Sequence, residues 1–329
     1  MSHVRQSLPL FLLLLAASAS KPVFAEMVTR SADFDRWMYP FNSSPGTRSN
    51  APVFGAVGET SFDDFDGQFL VGFNTAAAGI PTSLPPGKHL KLTSVKVTAT
   101  HSTGSFVYDP TFDPYGSYLS SSDPNFVADA DAGRPIELWG AGLRGGYTAF
   151  GFGPMNPGDT IFQEGDFFAF ADPTLPKVRN AFAYDPLLGD MSNPVSDGLF
   201  SAVPWAVGSA STLAPGSLVE QGIPGKAPGT TFTFEIDLSR PEVLNYLTTG
   251  LQQGQLFFTI VSLHATSQSG GSNPNFYTRD NFDPAALPPS LSIEYEIVPE
   301  PASLVLLAGG LAAAGMAHGW RIGRARKRA

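Results

Sequence analysis

Cysteine is absent from all 329 residues, and that excludes several classes at once. Disulfide scaffolds, thiolate nucleophiles, zinc–thiolate domains and lipoproteins anchored through a lipidated cysteine all need it. A chain without staples must fold on a large apolar core, and the roughly 270 residues between its two ends are ample for one. Histidine is nearly as scarce. Of five, only His89, His101 and His264 lie in the middle of the chain. Each stands alone in a turn or at a strand end, where a packing role is the commoner one; convergence of the three on a zinc ion is the competing reading. The chain also lacks a Gly-x-Ser-x-Gly elbow, a His-Glu-x-x-His pair and a phosphate-binding glycine loop, so no catalytic signature is present.

Positive charge is short where it would matter. Five of the 20 basic residues lie beyond Trp320 and two near the start, which leaves 13 against 29 acidic ones. A body near −16 has no basic footprint for nucleic acid or anionic lipid. It suits solubility outside a cell and the capture of divalent cations.

The two ends read as processing segments. His3 and Arg5 precede an apolar run from Leu8 to Ala17, and Val23-Phe24-Ala25 puts small residues three before and one before Glu26. A run of about ten residues cannot span a ~30 Å hydrocarbon core, so the pattern is that of a secretory signal peptide over residues 1–25. Signal peptidase is expected to cut after Ala25; a cut after Ala19 and a buried core helix are the alternatives. At the other end stand Pro299, Glu300 and Pro301, then Leu304 to Trp320 without a charge, then Arg321, Arg324, Arg326, Lys327 and Arg328. The prolines hold the chain extended. The 17-residue run 304–320 is at the short end of a transmembrane helix, and the basic cluster should stay cytoplasmic.

This tail, residues 298–329, resembles the PEP-CTERM sorting signal of Gram-negative bacteria. The resemblance implies processing by an exosortase, release at the cell surface or outside the cell, and association with exopolysaccharide and biofilm. A plain membrane anchor is the competing reading. Either way the membrane is met only through the C-terminal helix before processing.

The body, residues 26–297, carries short strand-like runs between turn residues. Leu90–Thr100, Thr231–Leu238 and Leu291–Ile297 alternate, each predicting a half-buried strand. Leu256–Leu263 is continuously apolar and predicts a central strand covered on both faces. Gln68–Phe73 and Phe167–Phe170 are further candidates. One short helix is predicted, with Ser239 as cap, Pro241 and Glu242 in the first turn, Val243, Leu244 and Leu247 on its apolar side, and Gly250 as its stop. Residues 102–230 hold many Asp-Pro and Asn-Pro turns and read as long loop insertions and extra strands. The expected fold is all-β: a single jelly-roll-like β-sandwich with those insertions and one helix, flanked by a signal helix and a transmembrane helix.

Three segments carry a further likeness. Asp35-Arg36-Trp37-Met38-Tyr39, Phe65-Asp66-Gly67-Gln68-Phe69 and Leu92-Thr93-Ser94-Val95 resemble the opening of DNRLRE-type carbohydrate-binding modules. Phe276-Tyr277-Thr278-Arg279-Asp280 and Pro289 to Tyr295 resemble their end. Residues 102–230 have no counterpart in that likeness, which implies a sugar-binding sandwich.

Candidate sites follow from chemistry. Sugar rings stack on aromatic faces, so Trp37 and Trp139 are candidate platforms, with Arg144 and Tyr147 as polar partners beside glycines that would let a ligand approach. Packing of the same aromatics in the core is the competing reading. Asp63, Asp64 and Asp66 before Gly67 form the candidate structural calcium site, with oxygen ligands suited to a hard cation. A solvated turn competes with it, and Asp129 with Asp131 is a second candidate. The expectation is a non-enzymatic, exported, exosortase-processed protein of the surface or extracellular matrix that binds or sits in exopolysaccharide. An envelope protein with no small ligand is the alternative, and a secreted hydrolase or lyase with paired carboxylates is the third.

Overall fold

A computed structural model describes residues 25–299, apart from 41–45, 60, 157, 167–178 and 267–271. Residues 1–24, Glu300, Pro301, the helix expected at 304–320 with its basic cluster, and the strand expected at Phe167–Phe170 lie outside the described residues. Among the described residues, no helix is long and apolar enough to cross a membrane.

The fold is all-β, with one α-helix and a short 3-10 helix (Tyr115–Tyr118) among the described residues. The strands begin with β1 (Glu26–Ser31), β2 (Phe34–Met38), β3 (Asn50–Pro52), β4 (Phe54–Gly55), β5 (Phe65–Asn74) and β6 (Lys88–Thr103). Then come β7 (Tyr108–Asp109), β8 (Arg134–Leu143), β9 (Ala149–Phe150), β10 (Ile161–Phe162), β11 (Ala181–Asp185), β12 (Gly189–Asp190) and β13 (Ala206–Val207). The last are β14 (Thr231–Glu235), β15 (Gln255–Ser262), β16 (Asn275–Tyr277) and β17 (Ser290–Pro299), with helix α1 (Pro241–Gln252) between β14 and β15. One sheet runs β1-β17-β6-β16-β3, with β14 on the other side of β6. The second runs β12-β11-β8-β15-β5-β2.

Alternation explains the first sheet. In β17, Leu291, Ile293 and Tyr295 are buried while Ser292, Glu294 and Glu296 are not, as a strand with one dry face requires. It pairs with β6 at ten positions, with one irregularity at Glu294/Tyr295. Val95, Val97, Phe232 and Phe234 extend the same dry face. The second sheet is covered on both faces. Every residue of β15 after Gln255 is buried, as its unbroken apolar run predicts. Phe69, Val71, Phe73, Phe258, Ile260 and Leu138 meet the first sheet in one core, where the Phe69 ring stacks on Phe276 at 6.3 Å.

The far face of the second sheet is covered by residues the sequence assigns to insertions. Phe34, Leu70, Ala141 and Phe257 form a second apolar cluster with Phe150 and Phe162 of the short β9 and β10. Residues 102–230 also hold the extra strands expected there, and one of these is long and central. They supply β8 and β11, and β8 lies between β11 and β15 in the heart of the sheet.

Helix α1 differs from expectation at both ends. Its cap is Arg240 and not Ser239, with no side-chain capping bond. Arg240 instead bridges Asp185 and Glu242 at 2.9 and 2.7 Å. Pro241 opens the first turn, as its fixed φ favours. The helix runs through Gly250, where a Cβ would stand 2.6 Å from Leu256, and stops before Gly254 at φ +78°.

Candidate functional site

The aromatic platform expected at Trp37, Trp139, Arg144 and Tyr147 is not assembled. Trp139 is fully buried, and its indole donates to Glu137 Oε2 at 3.0 Å. Tyr115 donates to the same oxygen at 2.6 Å. Burial pushes Glu137 up to about 7 against the pull of these two bonds. Trp37 is also buried, stacked on Tyr39 at 4.8 Å with the Arg48 guanidinium over its ring. Arg144 lies over Phe182 and pairs with Asp190 at 3.0 Å, whereas Tyr147 packs on Phe162. Two of the nearby glycines, Gly140 and Gly142, are seats for packed rings. A Cβ on Gly140 would come 2.4 Å from the Trp205 ring, and one on Gly142 would come 2.7 Å from Phe182.

Asp63, Asp64 and Asp66 are brought together, but their oxygens already face protein donors. The buried Arg179 guanidinium pairs with Asp63 and Asp66. Asn193 donates to Asp63 at 3.0 Å. Asp64 caps the turn that follows, accepting from Val195 N, Ser196 N and Ser196 Oγ at 2.7–2.8 Å. In place of the solvated turn or the calcium shell, the sequence motif forms a buried ion-pair network.

Two other carboxylate groups converge. One oxygen from each of Asp35, Glu164 and Asp280 lies within 4.8 Å of the others, and the same holds for Asp109, Asp113 and Asp131. In the first group Asp35 accepts from Arg279 N at 2.6 Å, and Glu164 accepts from Asp35 N at 2.8 Å. Burial raises all three above the usual carboxylate range. In the second, burial raises Asp109 and brings Asp113 to about 6. The middle histidines do not meet at a metal. His101 and His264 both pack edge-on against Phe106, and burial lowers both, His264 to about 3. His89 lies apart, paired with Val298 at the start of β6.

A cleft that could take a ligand lies elsewhere. It opens where β8 and β15 part beyond their Gly140–Phe258 pair. At that fork the Tyr246 hydroxyl of α1 fills the gap in the ladder. It accepts from Ala141 N at 3.1 Å and donates to Phe257 O at 2.8 Å. The cleft beside it has a volume of about 530 Å³, within the range of small-ligand sites. Phe150, Tyr184 and Tyr246 supply half-buried aromatic surface over a floor made by the buried Phe257, and Asn245, Gln253 and Gln255 supply amides. Phe150 stacks on Phe257 at 4.1 Å, and Tyr184 lies 6.4 Å from Tyr246. No Asp, Glu, Lys, Arg or His stands among the lining residues.

Sequence reasoning missed this cleft, because its walls come from β8, β9, β11, α1 and β15. The one readable signal was on α1, where Asn245 and Thr249 share a helix face at i and i+4. No protein-family model matches the chain, and no curated protein matches it.

Proposed function

We propose that this is an exported, non-catalytic surface or matrix protein whose body binds a neutral polysaccharide in the cleft beside α1. The observation that carries the reading is the cleft's lining: aromatic rings for sugar faces, amides and hydroxyls for sugar hydroxyls, and no full charge. An acidic polymer would find no counter-charge there, so the reading narrows the ligand to an uncharged glycan. Carboxylate pairs for glycosidic acid–base work are missing from the same lining.

Export rests on the signal peptide and on the PEP-CTERM resemblance, with signal peptidase and exosortase as the processing partners. The placement of β1 supports the cut after Ala25, since Glu26 is already paired with Tyr295. The body is proposed to be a jelly roll. Its support is strand order: β1-β17-β6-β14 faces β5-β15-β8-β11, and the chain changes sheet at every connection between these strands but that from β8 to β11. The DNRLRE-type likeness is supported by the meeting of its two ends, where Arg279 N donates to Asp35.

Retention of the secreted protein on neutral and acidic polysaccharide matrices tests this reading. Binding to neutral matrices, lost in Tyr184→Ala and Asn245→Ala, is expected. Retention on acidic matrices alone, or none on the producing cell's own polymer, overturns it. Masses from the medium and surface fractions test the processing: a product starting at Glu26 and lacking residues 304–329 is expected. A full-length product held in the inner membrane refutes it.

A second reading, an envelope protein with no small ligand, is favoured by one observation. Trp37, Trp139 and Trp205 are all buried, so no tryptophan among the described residues is offered to a sugar.

A further inference from the structure

We infer that Asp109, Asp113 and Asp131 form a calcium site that pins the long 110–133 excursion to the start of β8. The geometry is built by backbone. β7 runs parallel to β8 and sets Tyr108 against Arg134 and Asp109 against Pro135. Gly133, at φ +115°, lets the two segments touch, since a Cβ there would stand 2.9 Å from the Asp109 Cβ. The excursion then returns Asp129 and Asp131 to the same place. One carboxylate oxygen each from Asp109, Asp113 and Asp131 lies within 4.8 Å of the other two.

The charges do not balance within the protein. Arg134 holds Asp113 at 3.0 Å and Asp129 at 2.9 Å, with its guanidinium over the Tyr118 ring. Four carboxylates therefore share one cation. The Thr111 hydroxyl lies 2.7 Å from Asp109 Oδ1 and 2.8 Å from Asp131 Oδ2 and has one proton to give to either, so these two oxygens are held near each other. The independent observation is Asp109 itself. The residue is only 3% exposed, yet Oδ2 takes no hydrogen bond among the described residues, while Oδ1 accepts from Thr111. Buried acceptors without a donor are rare in folded proteins, and this one belongs to a carboxylate facing two more. A cation supplies what no neighbouring group does.

The donor set selects the ion. All the donors are hard oxygens, with no nitrogen or sulfur, which excludes a preference for zinc or copper. The ligands come from a strand end and two loops, and Asp131 is exposed, so water can complete an irregular shell of six to eight oxygens. Calcium accepts such a shell, whereas magnesium demands near-octahedral geometry at shorter distances.

The full chain, stripped with EDTA, is titrated with terbium under tyrosine excitation, and the ion is then displaced with calcium or magnesium. A saturable signal is expected, with magnesium needing at least about tenfold more than calcium to displace it. Asp131→Asn, at an exposed position, should weaken binding by about tenfold or more without loss of the fold. Asp109→Asn should abolish it; if that variant does not fold, Asp131→Asn decides alone. Asp280→Asn, in the other carboxylate group, should leave the signal unchanged. No saturable signal, equal affinity in Asp131→Asn, or loss in Asp280→Asn overturns the assignment.

Discussion

The two faces of the second sheet are both buried, but by different means. The face toward the first sheet is apolar, with Phe69, Val71, Phe258, Ile260 and Leu138 in the shared core. The opposite face carries Arg36, Asp66, Gln68, Glu137 and Thr259, all at 2% exposure or less. Arg36, Asp66 and Gln68 find their partners among residues 163–164 and 179–192, Tyr115 and Trp139 serve Glu137, and Thr259 is covered without a partner among the described residues. Arg36 donates to Gln163 O and Glu164 O, and Gln68 pairs with Ser192 and with Ala183 N. One face is held by area removed from water, the other by geometry. The first tolerates approximate shapes, whereas the second fails when a single partner is lost.

Paired substitutions break that comparison most sharply. Phe69→Ala empties a stacked core site and should cost about 3–5 kcal/mol in urea unfolding. Arg179→Ala should cost about as much, by leaving Asp63 and Asp66 buried without a counter-charge. The two losses separate with pH. The Arg179→Ala deficit should shrink as acid protonates the stranded carboxylates, and the Phe69→Ala deficit should stay constant. Parallel losses at pH 5 and pH 8 would erase the distinction between the faces.

Glu137 gives the next largest effect. Its folded value is raised from 4.5 to about 7, so between those values the native state keeps a proton that the unfolded chain has released. Its contribution to stability therefore falls as pH rises through this window, by on the order of 3 kcal/mol. Glu137→Gln keeps an acceptor for Tyr115 and Trp139 and should flatten the decline. An unchanged pH profile of unfolding refutes the assignment.

Smaller effects sharpen the contrast. Thr259 is fully buried on the polar face, and its hydroxyl has no partner among the described residues. Thr259→Val should stabilise the protein by about 1 kcal/mol, because it removes an unpaid desolvation and not a bond. A clear loss would show a hidden partner. On the solvent side of β6, Lys96 and Glu235 pair at 3.4 Å, both exposed. Lys96→Ala should change the unfolding midpoint hardly at all, within about 0.5 kcal/mol.

This division also explains which parts were legible in the sequence. β6, β14 and β17 each have one dry and one wetter face, and so betray themselves by alternation. β15 is dry on both and shows as an apolar run. β8 escaped because its centre reads Glu137-Leu138-Trp139-Gly140-Ala141-Gly142, a mixture of charge and glycine typical of loops. Its glycines are seats for the Trp205 and Phe182 rings, which arrive from 40 to 65 residues away in sequence. Nothing local announces such a seat. The cluster Asp63-Asp64-Phe65-Asp66 was visible as acidic, but its counter-ion Arg179 is 113 residues beyond Asp66. The cleft was hidden for the same reason, being assembled from five separate elements. In the 110–133 excursion, Asp129 and Asp131 stood out together, and only the fold adds Asp109 and Asp113.

The antiparallel pairing of β17 with β6 and β1 has a mechanical meaning. If the body were held at its C-terminal end and pulled through a bound polymer, the load would run along the length of β17. Its ten register pairs with β6 and six with β1 then resist in parallel, because sliding must strain them all together. A hairpin pulled from its open end would lose them one at a time. Under such a load the longest register among the described strands would lie on the strand that leads to the tail.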